Sequence, residues 1–253
     1  MDLGLEGKVV AVTGGASGIG RATVLAFAAE GAVVTALDRD ADALSALRDE
    51  AAGVHAREVD VAASDGMAQA INEIVDRHGR IDVAVNNAGI SRRFGWFHEG
   101  SEDDYDAIMA VNLKGVWLSM RAELGPMVRQ GSGAIVNTAS TVSVAGGPGA
   151  GPYTASKHGV VGLTRTAALE YAPLGIRVNA VAPGTVNSPM SDAQAVVNAG
   201  DDPFADAQIR QGHPLGWRVQ PQQVADAIVV LASERSSFST GSVVAVDGGF
   251  GAQ

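Results

Sequence analysis

Tyr153 and Lys157 stand four residues apart, with Thr154, Ala155 and Ser156 between them. On a helix that spacing puts both side chains on one face, one turn apart. A phenol titrates near pH ~10 and is a poor base at neutrality. A neighbouring ammonium favours the phenolate and lowers that value. Such a pair can trade a proton with an alcohol or a ketone. The same spacing also arises by chance, as a partly buried tyrosine beside a solvated lysine. The elements that would hold the pair must decide between the two readings.

Those elements alternate. Short runs rich in β-branched residues are separated by longer stretches of helix formers, the pattern of βαβ units and a parallel sheet. Strands are expected over Val9–Thr13, Val33–Asp38, Val54–Val59, Val83–Asn86, Ala134–Asn137, Arg177–Val181 and Val243–Val246. Most are continuous apolar runs, as strands covered on both faces require. Helices are expected over Ile19–Ala29, Asp40–Glu50, Asp65–His78, Glu102–Arg129, Tyr153–Tyr171 and Val224–Ala232. The fold class is therefore α/β: a Rossmann-like, doubly wound, seven-stranded parallel sheet with helices on both faces. No linker divides the chain, so one domain is expected over residues 1–253. The segment Pro189–Arg218 is the least regular. It should lie outside the carboxyl ends of the strands, where open α/β sheets bind ligands, and cover the substrate.

The first strand runs into Thr13-Gly14-Gly15-Ala16-Ser17-Gly18-Ile19-Gly20. Glycines at 14, 18 and 20 permit a sharp turn and a close approach of backbone to ligand. The helix that follows offers free N–H groups and a positive dipole end to a pyrophosphate. A Walker-type phosphate loop would need Lys and then Ser or Thr after its last glycine, and here Arg21 and Ala22 follow Gly20. Asp38 ends the second strand, eighteen residues past Gly20, where a carboxylate would hold the adenosine ribose hydroxyls. It would repel a 2′-phosphate and favour NAD over NADP. Arg39 is the counterweight, since a guanidinium can take that phosphate. The plainer role for Asp38 is a cap on the next helix.

Composition narrows the class. The chain has 253 residues, 46% hydrophobic and 18% charged, which is globular and not disordered. A formal net charge of −10 without a basic cluster excludes a nucleic-acid partner. There is no cysteine, so disulfide and thiolate chemistry are out. The five histidines, His55, His78, His98, His158 and His213, lack metal-ligand spacing, and no metal is expected. No secretory signal and no membrane-spanning run is read, so a cytoplasmic location and no membrane partner are expected.

These motifs, taken in order, resemble the short-chain dehydrogenase/reductase family in its NAD-preferring, roughly 250-residue form. The resemblance covers essentially the whole chain. It rests on Thr13 to Gly20, Asp60-Val61, Asn86-Asn87-Ala88-Gly89, Val111-Asn112-Leu113 and Ser140 thirteen residues before Tyr153. It continues through Tyr153 and Lys157, Pro183-Gly184 with Val186 and Ser188, and Gly241-Ser242 before Val246-Asp247-Gly248-Gly249. It implies a nicotinamide cofactor, NAD, held by Gly14, Ser17, Gly18, Ile19, Gly20 and Asp38, by Asp60 and Val61 at the adenine, and by Asn87, Ala88 and Gly89. Tyr153, Lys157, Pro183, Gly184, Val186 and Ser188 complete that set. It implies Tyr153 as the acid/base and Lys157 as the group that lowers its pKa and bonds the nicotinamide ribose. Ser140 hydrogen-bonds the substrate oxygen, and Asn112 orients a water linking Lys157 to solvent. Plainer readings stand beside these. Thr138, Thr141 and Ser143 also carry hydroxyls near Ser140, Asn112 could merely satisfy backbone in a bent helix, and the Val186 side chain could be packing.

The implied reaction interconverts a secondary alcohol and a ketone. The pocket should draw on Ser91 to Trp96, Val142 to Pro148 and the 189–218 segment. Trp96, Phe97, Val142, Val144, Met190 and Phe204 would make it mainly apolar, with Arg92 and Arg93 as solvated neighbours or guides for an acid. Gly146-Gly147-Pro148-Gly149 leaves space for a cyclic or bulky small-molecule substrate. The resemblance also implies a homotetramer, for which Gly159 and Gly162 would allow close helix packing, unless they face the sheet. Two rival functions are a catalytically silent NAD-binding sensor and a non-redox lyase on the same scaffold. The intact tyrosine, lysine, serine, glycines and Asp38 argue against both.

Overall fold

In the computed structural model, residues 2–92, 95–191, 214–215 and 218–252 are described. Arg93, Phe204, His213 and most of the 189–218 segment fall outside them. Seven strands form one sheet: β1 (Val9–Thr13), β2 (Val33–Asp38), β3 (His55–Glu58), β4 (Val83–Asn86), β5 (Gly133–Thr138), β6 (Ile176–Pro183) and β7 (Val243–Val246). The order is β3-β2-β1-β4-β5-β6-β7, and every neighbouring pair is parallel. The strands read from the sequence are all present. Three strands, β3, β5 and β6, differ at both ends by one or two residues, because terminal residues join the ladder only where a neighbour continues beside them.

Helices α1 (Gly18–Ala29), α2 (Ala41–Glu50) and α7 (Pro221–Ala232) pack on one face. Their buried Val24, Phe27, Leu44, Leu47, Val224 and Ile228 close over Val10, Val12 and Val34. On the other face lie α3 (Gly66–His78), α5 (Gly115–Gln130) and α6 (Gly151–Tyr171). Met67, Ile71, Val116, Met120, Met127 and Val160 form a second core there with Ile135 and Val178. Strands sandwiched in this way need apolar residues on both faces, and β1 is buried at every position.

The single helix expected over Glu102–Arg129 is broken. Helix α4 (Glu102–Met109) passes through a π-helical turn at Ala110–Lys114 before α5. The wider turn carries Asn112, which is fully buried. Such insertions cluster where a side chain must be re-aimed. Helix α6 starts at Gly151, two residues ahead of Tyr153, with Pro152 in its first turn where its missing N–H costs nothing.

Because all strands run in one direction, Thr13, Asp38, Asn86, Thr138 and Pro183 end on one edge of the sheet. Strand order reverses between β1 and β4, which pair Thr13 with Asn86. That crevice is where such sheets bind ligands.

Candidate active site

The glycine turn at this crevice has no room for side chains at Gly14 and Gly20. Gly14 and Gly18 have φ of +64° and +51°. A Cβ on Gly20 would sit 1.9 Å from the Gly14 carbonyl oxygen, and one on Gly14 would sit 2.9 Å from the Ala88 Cα. The turn therefore packs directly on the loop after β4. Ser17 is the N-cap of α1, is exposed, and makes no side-chain capping bond. Ile19 packs toward the α1 core face.

Asp38 turns its carboxylate toward this loop. Its Oδ2 accepts from the Ala16 N–H at 3.0 Å and its Oδ1 from the Asp40 N–H at 3.2 Å. The capping role is taken by Asp40, whose carboxylate accepts from the Ala43 N–H. Arg39 is exposed. The Asp60 carboxylate accepts from the Ala62 N–H, whereas Val61 is buried against Gly115. Only backbone atoms of Val61 are left to meet a ligand.

The loop after β4 is pinned by side chains from two directions. Asn87 Nδ2 donates to the Thr13 and Gly14 carbonyls at 3.2 and 3.4 Å. The Thr13 hydroxyl accepts from both the Asn87 and Ala88 N–H groups, at 3.0 and 3.1 Å. The Thr138 hydroxyl donates to Asn87 Oδ1 at 3.4 Å. Asn112 clamps the next peptide. Its Oδ1 accepts from the Ile90 N–H at 2.8 Å and its Nδ2 donates to the Ile90 carbonyl at 2.9 Å. Gly89 lies between the parts: a Cβ there would be 3.4 Å from Asn112 Oδ1 and 3.6 Å from Lys157 Nζ. Asn112 thus satisfies backbone as the plainer reading held, and it does so beside Lys157.

Tyr153 and Lys157 share a face of α6, with Nζ 5.7 Å from the phenol ring centroid. Lys157 is buried, not solvated, and its ammonium donates to the Thr138 carbonyl at 2.7 Å. Ser156 between them donates to the Tyr153 carbonyl and accepts from Asn112 Nδ2 at 3.4 Å. The Ser140 hydroxyl neighbours the Tyr153 phenol closely enough to act on its pKa, and its Oγ accepts from the Val142 N–H at 3.4 Å. Two of the other hydroxyls near Ser140 are spent elsewhere: Ser143 accepts from the Ser140 N–H and Thr138 bonds Asn87; Thr141 is buried.

The electrostatics differ from the expectation for the pair. Burial lifts the Tyr153 pKa above 10.0, and the neighbouring Ser140 hydroxyl opposes that rise. Burial pushes Lys157 down to about 8. The dry site disfavours charge on both groups, and this outweighs the pull of an ammonium that is committed to Thr138. The hydroxyls of Tyr153 and Ser140 are neighbours, with the Lys157 ammonium 5.7 Å from the phenol ring. An alcohol oxygen placed there can exchange hydrogen bonds with both.

At the far side of the crevice, Gly184 donates to the Val246 carbonyl and Pro183 pairs with Val246. Val186 is buried and bridges to Val219, so its side chain is packing. Ser188 faces the glycine turn, its Cβ 3.5 Å from where a Cβ of Gly18 would lie. Thr13, Thr138 and Ile90 are the site residues the motifs did not single out. The only signal for them was position, next to Gly14, Ser140 and Gly89.

The family model described as "Enoyl-(Acyl carrier protein) reductase" matches residues 14–251. The chain belongs to the short-chain dehydrogenase/reductase family. Among curated relatives, a 3-oxoacyl-[acyl-carrier-protein] reductase of Thermotoga maritima is 43% identical, over 97% of this chain and 98% of its own. A 2,5-dichloro-2,5-cyclohexadiene-1,4-diol dehydrogenase of Sphingobium indicum is 40% identical, over 97% and 98%. Among solved structures, a 3-ketoacyl-(acyl-carrier-protein) reductase of Brucella melitensis complexed with NADH superposes with a TM-score of 0.89. It is 30% identical, over 98% of this chain and 99% of that one. This short-chain dehydrogenase/reductase is an oxidoreductase that interconverts an alcohol and a ketone with a nicotinamide cofactor.

Proposed function

We propose that this enzyme is NAD-dependent and acts on the secondary alcohol or ketone of a cyclic or bulky small molecule, with Tyr153 as general acid/base. The observation that carries the reading is the buried Lys157 ammonium 5.7 Å from the Tyr153 ring, held by the Thr138 carbonyl next to Gly89, with the Ser140 hydroxyl as the phenol's neighbour. The bound nicotinamide supplies or accepts the hydride. In the oxidative direction, Tyr153 Oη takes the proton of the substrate hydroxyl. In reduction it returns that proton to the carbonyl oxygen. Ser140 Oγ hydrogen-bonds the same oxygen as charge develops on it. Lys157 supports the phenolate through its charge, and Asn112 holds the Gly89–Ile90 turn against Lys157.

The chain fits a dinucleotide. The cradle admits no Cβ at Gly14 or Gly20, and the α1 N-terminus opens onto it. Asp38, Asp60, Val61, Asn87, Ala88, Gly89, Pro183, Gly184, Val186 and Ser188 surround that crevice or lie at the strand ends beside it. Asp38 places a carboxylate beside the loop, where it would accept from ribose hydroxyls and repel a 2′-phosphate. Binding of NADH followed by fluorescence should therefore be at least tenfold tighter than that of NADPH. Asp38→Ser should narrow the gap. A wild type that prefers NADPH would sink the assignment.

We further read residues 189–218 as a substrate cover within the one domain, and the working compartment as the cytoplasm, where a soluble dinucleotide is at hand. The enzyme should assemble as a homotetramer. Supporting this, an apolar groove of about 760 Å³ runs between α4, the π turn, α5 and α6, lined by Met109, Leu113, Trp117, Gly159, Gly162 and Leu163. Gly159 receives Leu113 and Gly162 is open, so both glycines face this groove and not the sheet. Trp117 is nearly half exposed there. Light scattering should give a tetramer for wild type and a smaller species for Trp117→Glu; a monomeric wild type would contradict it.

A further inference from the structure

We infer that Phe97 is a specificity residue of this site, and that it selects an uncharged substrate with an apolar body over an anionic carrier thioester. The inference rests on the hydride-transfer reading above.

Phe97 opens a short 3-10 turn after the loop that follows β4. It is 90% exposed, yet its ring edge lies against Gly151: a Cβ there would be 3.0 and 3.1 Å from two ring carbons. Gly151 is the first residue of α6, two ahead of Tyr153. The ring therefore rests on the catalytic helix with one face left to solvent. The backbone just before it is held in place, since the Gly95 N–H donates to the Gly149 carbonyl at 3.1 Å. That bond ties the loop after β4 to the loop after β5. The second loop folds onto α6 in turn, because Gly147 leaves room for Val142 and Thr154 on either side. Val144, four residues past Ser140, is 60% exposed, and Trp96 is 54% exposed. An exposed large apolar group on a braced rim beside reactive hydroxyls is surface waiting for a ligand.

Charge points the same way. Arg92, the nearest described arginine on the loop after β4, has Asp104 at 3.8 Å. The chain as a whole carries −10. A substrate arm bearing phosphates gains little here and is repelled at long range.

The test is NADH-dependent reduction of 4-phenylcyclohexanone, 2-butanone and acetoacetyl-CoA by wild type, Phe97→Ala and Phe97→Leu. Wild type should show a kcat/KM for 4-phenylcyclohexanone at least tenfold above those of the other two. Phe97→Ala should lose about tenfold on that ketone, mainly through KM, as expected for one aromatic face removed from the contact. It should lose less on 2-butanone and leave NADH affinity and Tm unchanged, and Phe97→Leu should lose less than Phe97→Ala on 4-phenylcyclohexanone. Equal losses on both ketones, or acetoacetyl-CoA as the best wild-type substrate, would overturn the inference. Tight NADH binding without reduction of any of the three would overturn the hydride-transfer reading itself, and this inference with it.

Discussion

Replacing Tyr153 by Phe should lower kcat by about three orders of magnitude and leave NADH affinity within about twofold, consistent with the size of a general acid/base contribution. The change removes one oxygen and keeps the ring, so Lys157 keeps its aromatic neighbour and its bond to Thr138. Ser140 cannot replace it: a serine hydroxyl can hydrogen-bond the substrate oxygen but is too weak an acid or base to exchange the proton. Stopped-flow absorbance of NADH separates the two quantities. A variant that retains more than a tenth of wild-type kcat would show that the proton goes elsewhere.

Glu123→Gln should abolish a fall in stability that wild type shows on going from acid to mildly alkaline pH. Glu123 is buried on α5 behind the site, and its Oε2 accepts from Asn86 Nδ2 at 3.0 Å. Asn86 also donates to Asn137 Oδ1, and Asn137 in turn donates to Thr164. An amide donor opposes the effect of burial only weakly, and burial raises the Glu123 pKa from 4.5 to about 8. The unfolded chain gives up this proton near pH 4.5, and the folded chain holds it until about 8. The stabilising contribution is thus complete below 4.5, declines as pH rises, and is gone above 8. Over that window the difference amounts to a few kcal/mol. Glutamine keeps the shape and the acceptor for Asn86 without a proton to lose. Thermal melts at pH 5, 7 and 9 should converge on a flatter profile for Glu123→Gln, with the variant the more stable at pH 9 relative to its own value at pH 5. Parallel profiles would refute the account.

The strands and the chemistry-bearing residues were legible for different reasons. A parallel sheet covered on both faces needs unbroken apolar runs, and Val9–Thr13 or Val33–Asp38 can be little else. The Tyr153, Lys157, Ser140 and glycine positions were readable because short spacings and order along the chain identify them. What stayed hidden depends on partners distant in sequence. Glu123 reads as a solvated helix residue until Asn86, 37 residues earlier, is brought against it. Thr13 and Thr138 act through a hydroxyl and a carbonyl that any neighbour could have supplied. The π turn at Ala110–Lys114 has no marker in composition, since it exists to turn Asn112 toward Ile90. The Tyr–Lys spacing reports proximity and not dryness: burial raises the phenol pKa and lowers that of Lys157. Both groups lie where burial dominates.

The central claim is tested most directly with NADH deuterated at C4 and 4-phenylcyclohexanone, reading the alcohol by mass spectrometry. The account predicts one deuterium on the carbinol carbon with wild type and almost no alcohol with Tyr153→Phe. Alcohol formed without the label, or formed at the wild-type rate by Tyr153→Phe, would contradict it.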